Sequence, residues 1–113
     1  MEIGYFGAST GAGAALVASA ELPGFIHAVV SRGGRPDLAG DALPRVMAPT
    51  LAIVGGKDPG VLELNRQALA RMSCVKALHV IPGASHLFEE PGTMEQVAKL
   101  ARAWFTEAFA KSD

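Results

Sequence analysis

Gly4-Tyr5-Phe6-Gly7-Ala8-Ser9-Thr10-Gly11 reads as a short apolar strand that runs straight into a serine bracketed by small residues, G-x-S-x-G, with an alanine-rich helical stretch behind it. A serine at so sharp a strand-to-helix turn points its hydroxyl outward into a cleft. Side chains at Gly7 or Gly11 are expected to crowd the turn and the helix packed on it. The pattern is short, and any loop of small residues can produce it. Its weight depends on whether an acid and a histidine stand at usable places farther along the chain.

Outward from that turn, strand-like and helical patterns alternate. Ile3 to Gly7 is expected as the first strand and Thr10 to Glu21 as a small-residue helix ending before Pro23-Gly24. Phe25 to Ser31 reads as a second strand, broken by Arg32-Gly33-Gly34-Arg35-Pro36, and residues 37 to 48 read as loop with a short helical turn. Pro49 to Gly56 is a continuous apolar run, as expected of a strand covered on both faces. Val61 to Met72 carries apolar residues at 61, 64, 68, 69 and 72, a helical stripe. Lys76 to Ile81 is a fourth strand stopped by Pro82-Gly83. The last helix, Thr93 to Ala110, has the stripe Met94, Val97, Ala98, Ala101, Trp104, Phe105 and Ala108. Such alternation implies parallel βαβ units: an α/β, three-layer fold with a mainly parallel sheet of about four strands and flanking helices. The 113 residues are read as a single, partial domain.

Composition narrows the function classes. Half the residues are apolar and 19% are charged, a globular balance far from that of disordered chains. Ten basic and 11 acidic residues, spread evenly, leave no electrostatic footprint for nucleic acid or an acidic membrane. No apolar run reaches the roughly 20 residues of a membrane span. Glu2 follows Met1 where a secretory leader would carry basic residues. A single Cys74 leaves no internal disulfide and suits a reducing compartment, so the expected location is cytoplasmic.

In open α/β sheets functional groups gather beyond the carboxyl ends of the strands. Ser9 follows the first strand there, Asp58 the third within Gly55-Gly56-Lys57-Asp58-Pro59, and His86 the fourth within Gly83-Ala84-Ser85-His86. The three types form a chemical set. A serine hydroxyl needs a base to take its proton during attack, and an imidazole, with its ordinary pKa near 6.5, can do so near neutral pH. A carboxylate fixes the imidazole tautomer and stabilises the imidazolium. The negative oxygen of the intermediate needs preorganised N–H donors, worth about 3–4 kcal/mol each. The backbone N–H of Thr10, at the start of a helix, is the candidate donor. Asp37 is the rival for the acid. Arg32 and Arg35 could hold a substrate carboxylate with a planar guanidinium. Glu89 and Glu90 are expected to complement the dipole of the last helix. His27 and His79 fall inside strands and are expected to be structural or exposed. The histidines are too scattered for a metal site, and none is expected.

The segments GYFGASTGAGAAL, PTLAIVGGKDPGVLELN and IPGASHLFEEPGTMEQVAKLARAWF together resemble the C-terminal half of α/β-hydrolases of the dienelactone-hydrolase-like group. The order Ser, Asp, His is the one that fold uses. The resemblance implies Ser9 as nucleophile, Asp58 as acid and His86 as base, a small ester-like substrate and no cofactor. It also implies that further strands and a second oxyanion donor lie upstream in relatives. An edge left open by their absence would offer itself to a second copy or a partner chain.

Two other readings compete. Gly7-x-x-x-Gly11-x-Gly13 after a strand, with Arg32 after the next, also suits an NAD(P)-binding domain. Tyr5 is the sole tyrosine and lies in a strand, so the Tyr-x-x-x-Lys pair of short-chain dehydrogenases is missing. GGKDP and GASHLFEEPG have no role in that reading. The other is a non-catalytic hydrolase fragment that self-associates.

Overall fold

The computed structural model of the protein describes residues 3–111. Its elements are β1 (Ile3–Ala8), α1 (Thr10–Glu21), β2 (Ile26–Arg32), a 3-10 segment (Pro36–Arg45), β3 (Thr50–Gly55), α2 (Pro59–Ala70), β4 (Lys76–Ile81) and α3 (Thr93–Lys111). The four strands form one sheet in the order β1-β2-β3-β4, every pair parallel. A dinucleotide-binding sheet reverses its strand order at the ligand crevice; this order runs without reversal.

The sheet separates two apolar clusters. On one face Leu16 and Ala20 of α1, Ala42 and Leu43 of the 3-10 segment, and Ala68 and Leu69 of α2 pack on Val29 and Ala52. On the other, Val97 and Ala101 of α3 pack on Val30, Leu51, Ile53 and Ile81. β3 is buried throughout, which is why its sequence is continuously apolar.

Several expectations need correction. Residues 36–45 are two 3-10 turns joined at Gly40, which bends back at φ 52°, rather than mostly loop. Asp37 at the start and Pro44 inside obscure the turns in the sequence. β2 extends through Arg32, while Phe25 lies outside it and is 63% exposed. On α3, Met94 and Ala98 face solvent, and the inner stripe is Val97, Leu100, Ala101, Trp104 and Phe105. Trp104 Nε1–H donates to the Pro49 carbonyl at 3.1 Å, tying α3 to the start of β3.

Parallel register delivers the carboxyl ends together. Ala8 pairs with Arg32, Arg32 with Ile53, and Gly55 with Ile81. The residues just after β1, β3 and β4 therefore emerge side by side.

Candidate active site

Ser9 sits at the junction of β1 and α1 with φ 49° and ψ −124°, a conformation that non-glycine residues rarely adopt. A Cβ on Gly7 would stand 2.7 Å from Ala12 Cα, so only glycine permits this turn. Gly11 differs from expectation. It is exposed, and a Cβ there would meet nothing within 4 Å. The Ser9 carbonyl accepts the N–H groups of Ala12 (3.2 Å) and Arg35 (2.9 Å), which ties the turn to the loop after β2.

The structure brings Ser9, His86 and Asp58 into one chain of hydrogen bonds. Ser9 Oγ lies 3.0 Å from His86 Nε2, and His86 Nδ1 lies 2.7 Å from Asp58 Oδ2. The tautomer with its proton on Nδ1 satisfies both contacts: Nδ1–H donates to Asp58 and the serine hydroxyl donates to Nε2. Both flanking residues occupy helix N-cap positions, Ser9 for α1 and Asp58 for α2, and neither side chain makes a cap hydrogen bond. Serine and aspartate are favoured caps, worth typically about 1 kcal/mol. Here both forgo that role and turn to the imidazole. The Asp58 side chain is 18% exposed and that of His86 40%. Asp37, the rival acid, instead takes both oxygens to Arg35 at 3.0 and 2.8 Å. That pairing lowers the Asp37 pKa and raises that of Arg35. Thr10 opens α1 directly after Ser9.

The loop between β4 and α3 holds the imidazole. Phe88 N–H donates to the Ser85 carbonyl at 3.1 Å, closing a turn whose central residues are His86 and Leu87. The Glu90 carboxylate accepts the Ser85 N–H at 2.9 Å, a bond that lowers its pKa. This corrects the expectation that Glu90 serves the α3 dipole; it reaches back along the loop instead. The Thr93 hydroxyl, buried, lies 2.8 Å from the carbonyls of both Phe88 and Glu90. Gly33 lies under the ring: a Cβ there would stand 3.2 Å from the His86 carbonyl and 3.4 Å from Nδ1. The third-strand loop is fitted as closely. A Cβ on Gly55 would fall 2.2 Å from the Ala84 carbonyl oxygen, which accepts the Lys57 N–H at 3.0 Å.

The two arginines separate. Arg35 is neutralised by Asp37, whereas Arg32 forms no ion pair among the described residues. Its guanidinium lies over the Phe88 ring, 5.7 Å from the centroid, and its buried Nε has no acceptor among the described residues. His27 Nδ1 accepts the Ile3 N–H at 3.0 Å, a link between strands, and His79 is exposed. Cys74 is half-buried, and burial raises its pKa. Among the described residues no group of three or more His, Cys, Asp or Glu could hold a metal ion, and no helix is long and apolar enough to cross a membrane.

Sequence reasoning missed Asn65, Phe88 and Thr93. Asn65, fully buried, donates through Nδ2 to the carbonyls of Gly34 (3.1 Å) and Val61 (2.8 Å), joining α2 to the loop after β2. A polar residue four positions after Val61 and three before Ala68, on the apolar stripe, was its signal.

No family model matches the chain. Two Mycobacterium tuberculosis proteins, of strains CDC 1551 / Oshkosh and ATCC 25618 / H37Rv, are each 65% identical over 107 residues. Both carry the provisional name phosphoribosyl transferase. The match takes in 95% of this chain and 24% of theirs, so the chain spans about a quarter of the curated relatives it matches. A dienelactone hydrolase from Anabaena variabilis ATCC 29413 superposes with a TM-score of 0.91 at 62% identity, over 92% of this chain and 48% of its own. A CIB-like hydrolase from Thermoplasma acidophilum gives 0.66 at 21% identity, over 82% and 46%, a likeness of fold alone. With its sequential parallel sheet and these likenesses, the chain has the α/β-hydrolase fold, resembles a dienelactone hydrolase over nearly its whole length, and spans about half the length of that solved relative.

Proposed function

We propose that this chain carries the catalytic serine, acid and base of an ester hydrolase. The observation that supports the reading most is the continuous path from Ser9 Oγ through His86 to Asp58, at 3.0 and 2.7 Å. In the proposed reaction Ser9 Oγ attacks the substrate carbonyl while His86 Nε2 takes its proton. Asp58 holds the imidazole by Nδ1 and stabilises the imidazolium. The Thr10 N–H, at the positive end of α1, donates to the oxyanion. Collapse breaks the ester bond, and the leaving alcohol departs with the proton from His86. Water then attacks the acyl-serine, His86 takes its proton and returns it to Ser9 Oγ, and the acid leaves. The reaction needs no cofactor. Arg32, without a carboxylate partner among the described residues, is the better of the two arginines for a negatively charged substrate group, since Asp37 occupies Arg35.

The transferase name belongs to proteins of which this chain spans 24%, and the part in common has a hydrolase fold in this chain. Ester hydrolysis is therefore the activity we place here. The test is release of p-nitrophenol from a short-chain p-nitrophenyl ester by the purified chain, with Ser9→Ala as control. The reading expects turnover that Ser9→Ala lowers at least a thousandfold. Equal rates for the two proteins would refute it.

A further inference from the structure

The turn that carries His86 is closed by a residue under backbone strain. Phe88 has φ 56°, and for a bulky side chain that is a true outlier. Strain of this kind costs about 1–3 kcal/mol and persists only where the surroundings over-determine it. The surroundings of Phe88 do so from four sides. Phe88 as a whole is 2% exposed, and it belongs to the cluster that includes Ile53, Ile81 and Val97. The Arg32 guanidinium covers the ring from the end of β2. Its N–H closes the turn onto Ser85, and its carbonyl faces the buried Thr93 hydroxyl at 2.8 Å.

We infer that Phe88 is a positioning residue: its left-handed backbone, locked by Thr93, sets the direction in which the Ser85–Phe88 turn aims the His86 imidazole at Ser9. His86 and Leu87 are the two residues between the closing groups of that turn. If Phe88 relaxed to negative φ, its N–H and its carbonyl could not both keep their partners, and the turn would re-orient. The imidazole would leave its place beside Gly33, and Nε2 would leave the 3.0 Å contact with Ser9 Oγ. Thr93 acts from the first residue of α3, so the lock is anchored to an element whose own position is set by Val97 and Ala101 in the core. The strain is thus opposed by rigid parts of the fold.

The inference rests on the proposed hydrolase reading, and the experiment separates the two. Phe88→Gly keeps the backbone conformation accessible but removes the ring that enforces it; Thr93→Val removes the lock, and Thr93→Ser restores it. Ester kinetics should show kcat reduced at least thirtyfold in Phe88→Gly and about tenfold in Thr93→Val, with KM changed less than threefold, and Thr93→Ser within twofold of wild type. The second readout, independent of turnover, is the downfield proton resonance of the His86 Nδ1–Asp58 hydrogen bond. It should be sharp in wild type and Thr93→Ser, and broadened or lost in Phe88→Gly and Thr93→Val. Should wild type lack esterase activity, the proposed function fails while this resonance still decides the positioning role. If Phe88→Gly does not fold, Thr93→Val against Thr93→Ser carries the same comparison. A resonance unchanged in the folded variants would overturn the inference, as would a kcat within twofold of wild type in both Phe88→Gly and Thr93→Val.

Discussion

The two ends of the sheet are built differently. At the carboxyl end, the junctions after β1, β2 and β4 hold residues at positive φ: Ser9 at 49°, Gly33 at 54°, Gly83 at 79° and Phe88 at 56°. These junctions are also tied across one another, Arg35 to Ser9, Lys57 to Ala84 and Gly56 to Ile81, all by backbone bonds of 2.9–3.0 Å. At the amino end, Phe25, Met47 and Val75 stand 63–70% exposed, and no residue in the stretches 22–25, 46–49 or 71–75 has positive φ. Both ends connect the same strands under the same core. Strain and cross-linking collect where Ser9, His86 and Asp58 meet. This is the pattern expected where geometry serves a purpose other than stability.

That contrast can be broken, beginning with the largest effect. Asp58→Asn keeps the shape and removes the carboxylate that fixes the imidazole tautomer, so kcat for ester hydrolysis should fall about ten-thousandfold with little change in thermal stability. Gly55→Ala forces a methyl to within 2.2 Å of the Ala84 carbonyl. Denaturant unfolding should show a loss of about 2–3 kcal/mol. The amino-end counterpart Gly24→Ala meets nothing within 4 Å and should stay within about 0.5 kcal/mol. Asn65→Ala strips the Gly34 carbonyl of its buried donor and should cost about 1–3 kcal/mol in the same measurement.

A smaller effect is the acid response. The Glu90 pKa is depressed by its bond to Ser85 N–H, so the folded state holds fewer protons than the unfolded one. Its contribution is present above the ordinary carboxylate pKa and is lost as pH falls through the lower folded value. Glu90→Gln should therefore flatten part of the acid limb of Tm against pH below about pH 5 and leave neutral pH almost unaffected. Asp37 contributes with the same sign through Arg35 and would remain in that variant. Smallest of all, Met47→Gln at the amino end should shift stability by less than about 0.5 kcal/mol.

Local signals and long-range ties differ in how plainly the chain announces them. β4 (Lys76–Ile81) and α1 (Thr10–Glu21) match the sequence reading at both ends, because apolar runs and Pro-Gly breaks are local signals. Ser9, Asp58 and His86 were legible as candidates because their residue types follow three strands in a recognisable order. The ties that hold them were not. Glu90 reads as a dipole-complementing acid until the loop folds back and brings Ser85 to it. Thr93 reads as an ordinary helix start, since its two acceptors are set by a turn the sequence does not announce. Gly11 misled in the opposite direction: its place in a motif suggested crowding, and the actual helix leaves open space there. Arg32 and Arg35 looked alike until side-chain geometry gave Asp37 to one of them.

The central claim is that Ser9 is a nucleophile activated by His86. Its most direct test is labelling with a fluorophosphonate, which reacts covalently with activated serines, followed by peptide mass spectrometry on wild type, Ser9→Ala and His86→Ala. Activation of Ser9 by His86 predicts one adduct on wild type, mapped to Ser9, and none on either variant. An adduct on another serine, no adduct on the folded wild-type protein, or equal labelling of His86→Ala would contradict it.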